Sequence, residues 1–311
     1  MFLSFLFWSF VFIVGIFILI YSADLFVDKS KELGRNLGLS TFLIGLIIVS
    51  IGTTLPELSS SIYATIKGES EIVIPTVIGS VTTNIFLVIG LVGFLYGTKY
   101  LYKETIKTDL WIFATVSCLF VLFIVDNNFT IIEAILCVLI YLAYSAYQYK
   151  LSKSAKLEES GPKSNTFMCI FLILIYSFLI YVGSKYVVDS MLHISKILNI
   201  FPEIIAITVI ALGTSLTELT VGLVSLRKGH LDIAVANIIG ASIIDLLIVT
   251  SVSRFFGFII IPTMLFKIAI PIFGLSIISF IYVILDKKLT KMEGVLLLLM
   301  YIIFSILMFV F

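Results

Sequence analysis

Two acidic words recur in this chain, GTTLPE at Gly52–Glu57 and GTSLTE at Gly213–Glu218. Residues three and four apart on a helix share a face, so Thr53 and Thr54 stack with Glu57, and Thr214 and Ser215 stack with Glu218. Each word therefore presents one carboxylate and two hydroxyls in one direction. Downstream, Ser80 and Asn84 lie four apart, and Asn237 and Asp245 follow the second word. The pooled donors are hard oxygens without His or Cys, which suits Ca²⁺ and Na⁺ and disfavours zinc or copper. Ca²⁺ takes about six to eight oxygens, more than three monodentate carboxylates supply, so backbone carbonyls are the expected remainder. Pro56 lacks an N–H and would leave the Gly52 carbonyl without its helical partner, which predicts a kink there. Thr217 stands in the equivalent place of the second word.

These words sit in sequence apolar enough to cross a bilayer. The 311 residues are 60% hydrophobic and 13% charged, with a mean hydropathy of +1.20. Soluble domains run about 45–50% apolar and about 25% charged, so the chain reads as an integral membrane protein. At ~20 apolar residues per crossing, ten spans are expected, at 2–26, 41–66, 72–97, 108–126, 130–149, 166–188, 199–226, 231–253, 256–285 and 292–311. The first is read as a retained helix, since it lacks a basic leader and exceeds a signal peptide's apolar core. Polar stretches Asp28–Ser40 and Asp189–Asn199 are expected as interfacial segments.

A carboxylate at mid-bilayer costs from ~3 to more than ~10 kcal/mol. No Lys or Arg lies at the expected depth of Glu57, Glu218 and Asp245. These acids must then be protonated or neutralised by a cation that enters with them.

Ser22–Glu57 recurs without a gap as Gly183–Glu218, and the same shift of 161 pairs Gly68 with Gly229, Gly79 with Gly240 and Asn84 with Asp245. Five spans before the second copy turn it upside down relative to the first, the arrangement of many secondary transporters. The expected fold is an all-α membrane protein of ten helices in two inverted-topology five-helix repeats, 1–149 (motif 50–84) and 166–311 (motif 211–245). They are joined by a Lys-, Ser- and Glu-rich linker at 150–165. Loops after the odd-numbered spans hold 15 of the 20 Lys and Arg residues, which places the linker in the cytoplasm and both termini outside.

The remaining polar residues carry blander readings. Cys118, Cys137 and Cys169 are taken as packing residues. His193 and His230 are read as solvated loop residues, and Asp24 and Lys185, a repeat-related pair, as interfacial.

The words GTTLPE…GSVTTN and GTSLTE…GASIID resemble the two α-repeats of the cation/calcium exchanger superfamily, specifically its sodium/calcium exchanger branch in short prokaryotic form. The resemblance implies that Glu57 and Glu218 are central calcium ligands, assisted by Thr53, Thr214 and the backbone carbonyls of Ser50 and Ala211. It implies that Thr54, Ser80, Asn84, Ser215 and Asp245 line flanking sodium sites, and that the spans at 2–26 and 166–188 slide to alternate access. Two departures stand out: Ala241 where the family usually repeats Ser80's type, and Thr217 where it has Pro. Ser242 is adjacent but about 100° round the helix. The short linker implies no calcium-sensing domain.

The expected activity is antiport of Ca²⁺ against Na⁺ across the cell membrane by a non-enzymatic protein, functional as a monomer, with the ions as cargo rather than cofactors and no nucleic-acid partner. Proton-coupled or K⁺-dependent calcium exchange and a passive cation channel stand as alternatives. An intramembrane aspartyl protease, which needs two Asp sharing a proton, fits poorly with a single Asp at depth.

Overall fold

Long apolar runs wind the two longest helices among the described residues. The computed structural model describes residues 2–97, 99–100, 105–154, 165–198, 211–262, 264–285 and 288–310. Helix α1 (Phe2–Leu37) has 36 residues. At 1.5 Å per residue it is about 54 Å long, far more than a ~30 Å bilayer core requires. It absorbs the stretch expected as an interfacial segment, because the polar side chains of 28–37 find partners while the backbone stays helical. Lys29 pairs with Glu32 one turn on. Asp24 and Asp28 are bridged by Lys228 at 3.1 and 2.7 Å, so Asp24 is an ion-pair partner of the second half.

The equivalent helix of the second half, α8 (Thr166–Ile197), likewise runs through most of the expected interfacial stretch. It lies along α1. A side-chain carbon on Gly183 would sit 2.9 Å from the Leu19 nitrogen and 3.1 Å from the Gly15 carbonyl oxygen, so the missing Cβ is what lets the two backbones meet. His193, expected in a loop, is an exposed residue of α8 whose ring stacks on Trp8 with centroids 3.7 Å apart. His230 precedes a helix as expected, and its Nε2 lies 2.9 Å from Lys31 Nζ.

The inner segments carry the acidic words. In the first half, α2 (Thr41–Leu43) passes through a π turn, Ile44–Val49, into α3 (Ser50–Lys67). Next come α4 (Val73–Thr83), a second π turn, Asn84–Ile89, and α5 (Gly90–Tyr96). In the second half, α9 (Ala211–Arg227) precedes α10 (Leu231–Ile244), a third π turn, Asp245–Val249, and α11 (Thr250–Phe256). The expected start of the seventh span, 199–210, lies outside the described residues, as does most of the linker, 155–164. Gly68 and Gly229 end α3 and α9 at φ 81° and 82°, a left-handed conformation that glycine adopts without steric cost.

These inner segments are the core. In their most apolar stretches 94% of the 231–256 segment is buried, against 11% of α1, so the inner segments face protein and α1 faces largely outward.

The peripheral helices are α6 (Thr105–Ile124), α7 (Ile131–Ser154), α12 (Met264–Lys267), α13 (Ala269–Leu285) and α14 (Lys291–Val310). The span expected at 256–285 is therefore not one helix. Gly257 leaves the helix in extended form, and Pro262 disfavours helix in the residue before it. The buried Arg254 holds the break by donating to the Phe129 carbonyl at 2.6 Å and the Gly257 carbonyl at 3.2 Å.

Two short strands, β1 (Lys99–Tyr100) and β2 (Lys288–Leu289), pair antiparallel with Lys99 opposite Leu289, and a single bridge joins Asn128 to Ile260. A shift of 161 carries Lys99 to Ile260 and Asn128 to Leu289, so these are two repeat-related pairings, each joining one half to the other. Helices α7 and α14 also start alike. Thr130 and Thr290 each give their backbone and hydroxyl protons to the Glu three residues on, at 2.6–2.8 Å, and take its N–H in return.

Candidate cation site

Helices α3 and α9 touch each other and pack with α4 and α10, and the third π turn lies against α3 and α4. Glu57, Glu218 and Asp245 are 8%, 1% and 1% exposed. Glu57 lies close enough to Glu218 and Asp245 for both charges to act on it. Ser50, Thr53, Thr54, Ser80, Asn84, Ser215 and Asn237 are buried with them.

Hydrogen bonds cross between the halves here. Ser80 Oγ donates to Asp245 Oδ2 at 2.8 Å. Thr53 Oγ1 lies 3.3 Å from Asn237 Oδ1 and also reaches the Glu218 carboxylate. The Ser50 carbonyl, expected to face a cation, accepts Thr54 Oγ1 at 2.8 Å and Thr53 Oγ1 at 3.2 Å. A hydroxyl that gives its proton to a carbonyl keeps its lone pairs for a metal, so this geometry is compatible with ligation by the threonine oxygens. Thr217, outside the expected ligand set, donates to Glu218 Oε2 at 2.7 Å. Ala211 opens α9, and the side chains of 211–214, Thr214 among them, lie outside the described residues.

Several buried polar atoms at this centre have no hydrogen-bond partner: Glu57 Oε2, Asp245 Oδ1, both amide atoms of Asn84, Asn237 Nδ2, and the hydroxyls of Ser215 and Ser242. Buried polar groups are almost always paired, so the five unpartnered oxygens among these seven atoms call for a positive partner. Among the described residues no basic side chain forms an ion pair with the three acids. Nor do three His, Cys, Asp or Glu side chains form a metal-binding group by themselves. Any cation held here must draw on hydroxyl, amide and carbonyl oxygens as well.

The helix type changes at places that Pro56 does not mark. Helix α3 runs unbroken through Pro56, and the helical pattern changes instead at the three π turns. One ends just before Ser50, and the other two begin at the repeat-related Asn84 and Asp245. A π turn displaces carbonyls from regular i→i−4 pairing and is frequent at functional sites. No residue type marks these turns in the sequence.

Another buried acid, Asp109, belongs to a separate place between α6 and α7. Its Oδ1 accepts from Tyr144 at 3.0 Å and from Gln148. Cys137 and Cys169 are buried and Cys118 is exposed on α6.

The family described as sodium/calcium exchanger protein matches residues 7–150 and 168–310. The chain belongs to this family. The gap between the two matched parts falls on the polar stretch between α7 and α8. Among its exchanger relatives, the sodium/calcium exchanger MaX1 of Methanosarcina acetivorans is 29% identical, over 96% of this chain and 97% of that protein. The inner membrane protein YrbG of Escherichia coli is 30% identical over 76% of each. A solved structure of the sodium-calcium exchanger NCX_Mj, soaked with Na⁺ and Sr²⁺, superposes with a TM-score of 0.80 at 26% identity, covering 96% of this chain and 98% of that one. The fold is thus that of a helical membrane exchanger.

Proposed function

We propose that this protein is an antiporter that moves Ca²⁺ against Na⁺ across the cell membrane, with one shared site between its halves. The observation that carries this reading is the buried trio Glu57, Glu218 and Asp245, with unpartnered oxygens and no basic partner among the described residues. Ca²⁺, or several Na⁺, neutralises the same acids, and the occluded state is reached once their charge is met. Competition for one set of oxygens couples the two fluxes.

The ligands in this reading are Glu57, Glu218 and Asp245 with Thr53, Thr54, Thr214, Ser215, Ser80 and Asn84, and the carbonyls of Ser50 and Ala211. The architecture is ten membrane helices in two inverted halves, 1–149 and 166–311, joined by a cytoplasmic linker, with both termini outside. The mirrored strand pairings and the paired Gly68 and Gly229 turns support the inverted halves, and the bias of basic residues supports the orientation. Helices α1 and α8 are the moving elements, consistent with their outward exposure and their contact with each other.

The test is ⁴⁵Ca²⁺ uptake into Na⁺-loaded proteoliposomes. The wild-type protein should take up calcium only while an outward Na⁺ gradient lasts, and Glu57→Gln or Glu218→Gln should lose at least ~100-fold in rate, since each removes a charge that the ion must meet. Retained exchange in either variant, or uptake driven by a pH gradient alone, overturns the proposal.

A further inference from the structure

Thr217 and Pro56 occupy equivalent places, each one residue before an acid of the site. Proline offers no donor. Threonine carries a hydroxyl, and Thr217, 3% exposed, gives that proton to Glu218 Oε2 at 2.7 Å. On α3, Thr54 and Thr65 each donate to a carbonyl four residues back, the usual habit of helical threonine, and Thr53 is shared between the Ser50 carbonyl, Asn237 Oδ1 and the Glu218 carboxylate. In the other half, Glu57 Oε2 is buried without a partner. Two glutamates related by the repeat therefore meet an incoming cation with unequal unmet charge.

We propose that Thr217 is a specificity-determining residue that weakens the hold of Glu218 on Ca²⁺ more than on Na⁺. This rests on the exchange reading above. A donor already bound to a carboxylate oxygen shares its charge and must be displaced or outcompeted by a metal using that oxygen. A divalent ion draws twice the Coulomb energy of a monovalent one from the same carboxylate, so blunting Glu218 penalises Ca²⁺ more. Glu57, with Oε2 unpartnered, becomes the firmer anchor, and Glu218 the acid that lets calcium go.

Thr217→Val removes the hydroxyl at nearly constant volume, Thr217→Ser keeps it, and Thr217→Ala serves if the valine variant folds poorly. Two measurements apply to each: the Ca²⁺ and Na⁺ dependence of exchange in proteoliposomes, and the Ca²⁺ concentration that half-saturates thermal stabilisation of the detergent-solubilised protein. Thr217→Val should bind Ca²⁺ about three- to tenfold more tightly, the loss of one charge-assisted hydrogen bond's competition, while its Na⁺ midpoint moves less than about twofold and its maximal rate falls. Thr217→Ser should stay within about twofold of wild type. An unchanged Ca²⁺ midpoint in Thr217→Val and Thr217→Ala overturns the inference, as does a weakening for both ions or an equal tightening for both. If wild-type protein neither exchanges nor is stabilised by Ca²⁺, the exchange reading fails first and takes this one with it.

Discussion

At the scale of single residues, the site is set by who receives each proton. Asp245 has one oxygen held by Ser80 and the other unpartnered. Ser80→Ala leaves both oxygens of a buried carboxylate unmet, which should lower the stability of the ion-free protein by about 1–3 kcal/mol. Added Na⁺ or Ca²⁺ should narrow that gap, because a bound cation supplies the missing partner and stabilises in proportion to its occupancy. Thermal unfolding in detergent against ion concentration reads both effects, and a gap that ions do not narrow would place Asp245 outside the binding site. Asp245→Asn is expected to do the reverse, raising ion-free stability while weakening the Na⁺ dependence of calcium flux. In both variants the ion titration separates a ligand from a packing residue.

At the scale of elements, the site depends on how closely α10 approaches the first π turn. A Cβ on Gly240 would stand 2.2 Å from the Leu46 carbonyl oxygen and 2.7 Å from Ser50 Oγ. Gly240→Ala should therefore push α10 off the turn that leads into Ser50, destabilising by about 1–3 kcal/mol and reducing calcium exchange out of proportion to stability. Gly229→Ala is the control: it strains a left-handed turn at φ 82°, costing about 1–2 kcal/mol, yet should leave the transport rate of the folded fraction unchanged. Equal losses of exchange in the two variants would remove the special role given to Gly240. Much of this geometry was legible beforehand. The duplicated acidic words and the glycines at 68 and 229 are spacing signals, and the acids they align are buried together. What stayed hidden has a common cause, since hydropathy reports burial and not backbone pattern. It runs evenly through the break after Phe256 and through all three π turns, which differ from α-helix by one residue per turn and carry no residue type of their own. The helical reach of α1 past Asp28 was hidden for another reason: Lys228, which bridges Asp24 and Asp28, lies 200 or more positions away in sequence.

At the scale of the whole molecule, a heavily buried inner assembly is flanked by two long helices that touch each other and face outward. Helices α1 and α8 meet backbone to backbone at Gly15 and Gly183, and again where Trp8 stacks on His193. Helix α1 also packs against α9, and at the end of α9 Lys228 bridges Asp24 and Asp28 and donates to the Asp24 carbonyl at 2.7 Å, a polar contact through long, partly solvated side chains worth about 0–1 kcal/mol. A backbone-close seam between α1 and α8, beside a polar contact to α9 carried by long side chains, suits a pair that moves as one body over the core. Cross-linking distinguishes this from independent motion. In a background with Cys118, Cys137 and Cys169 replaced, joining Trp8→Cys to His193→Cys with a short bifunctional reagent should leave Na⁺-driven ⁴⁵Ca²⁺ uptake within about twofold of the unlinked protein, because a seam that stays closed through the cycle loses nothing by being locked. Joining Asp24→Cys to Lys228→Cys should stop uptake, and cleaving that link should restore it. Arrest by the first link would mean that α1 and α8 separate during transport, and uptake that survives the second would mean that α1 does not slide past α9 at all.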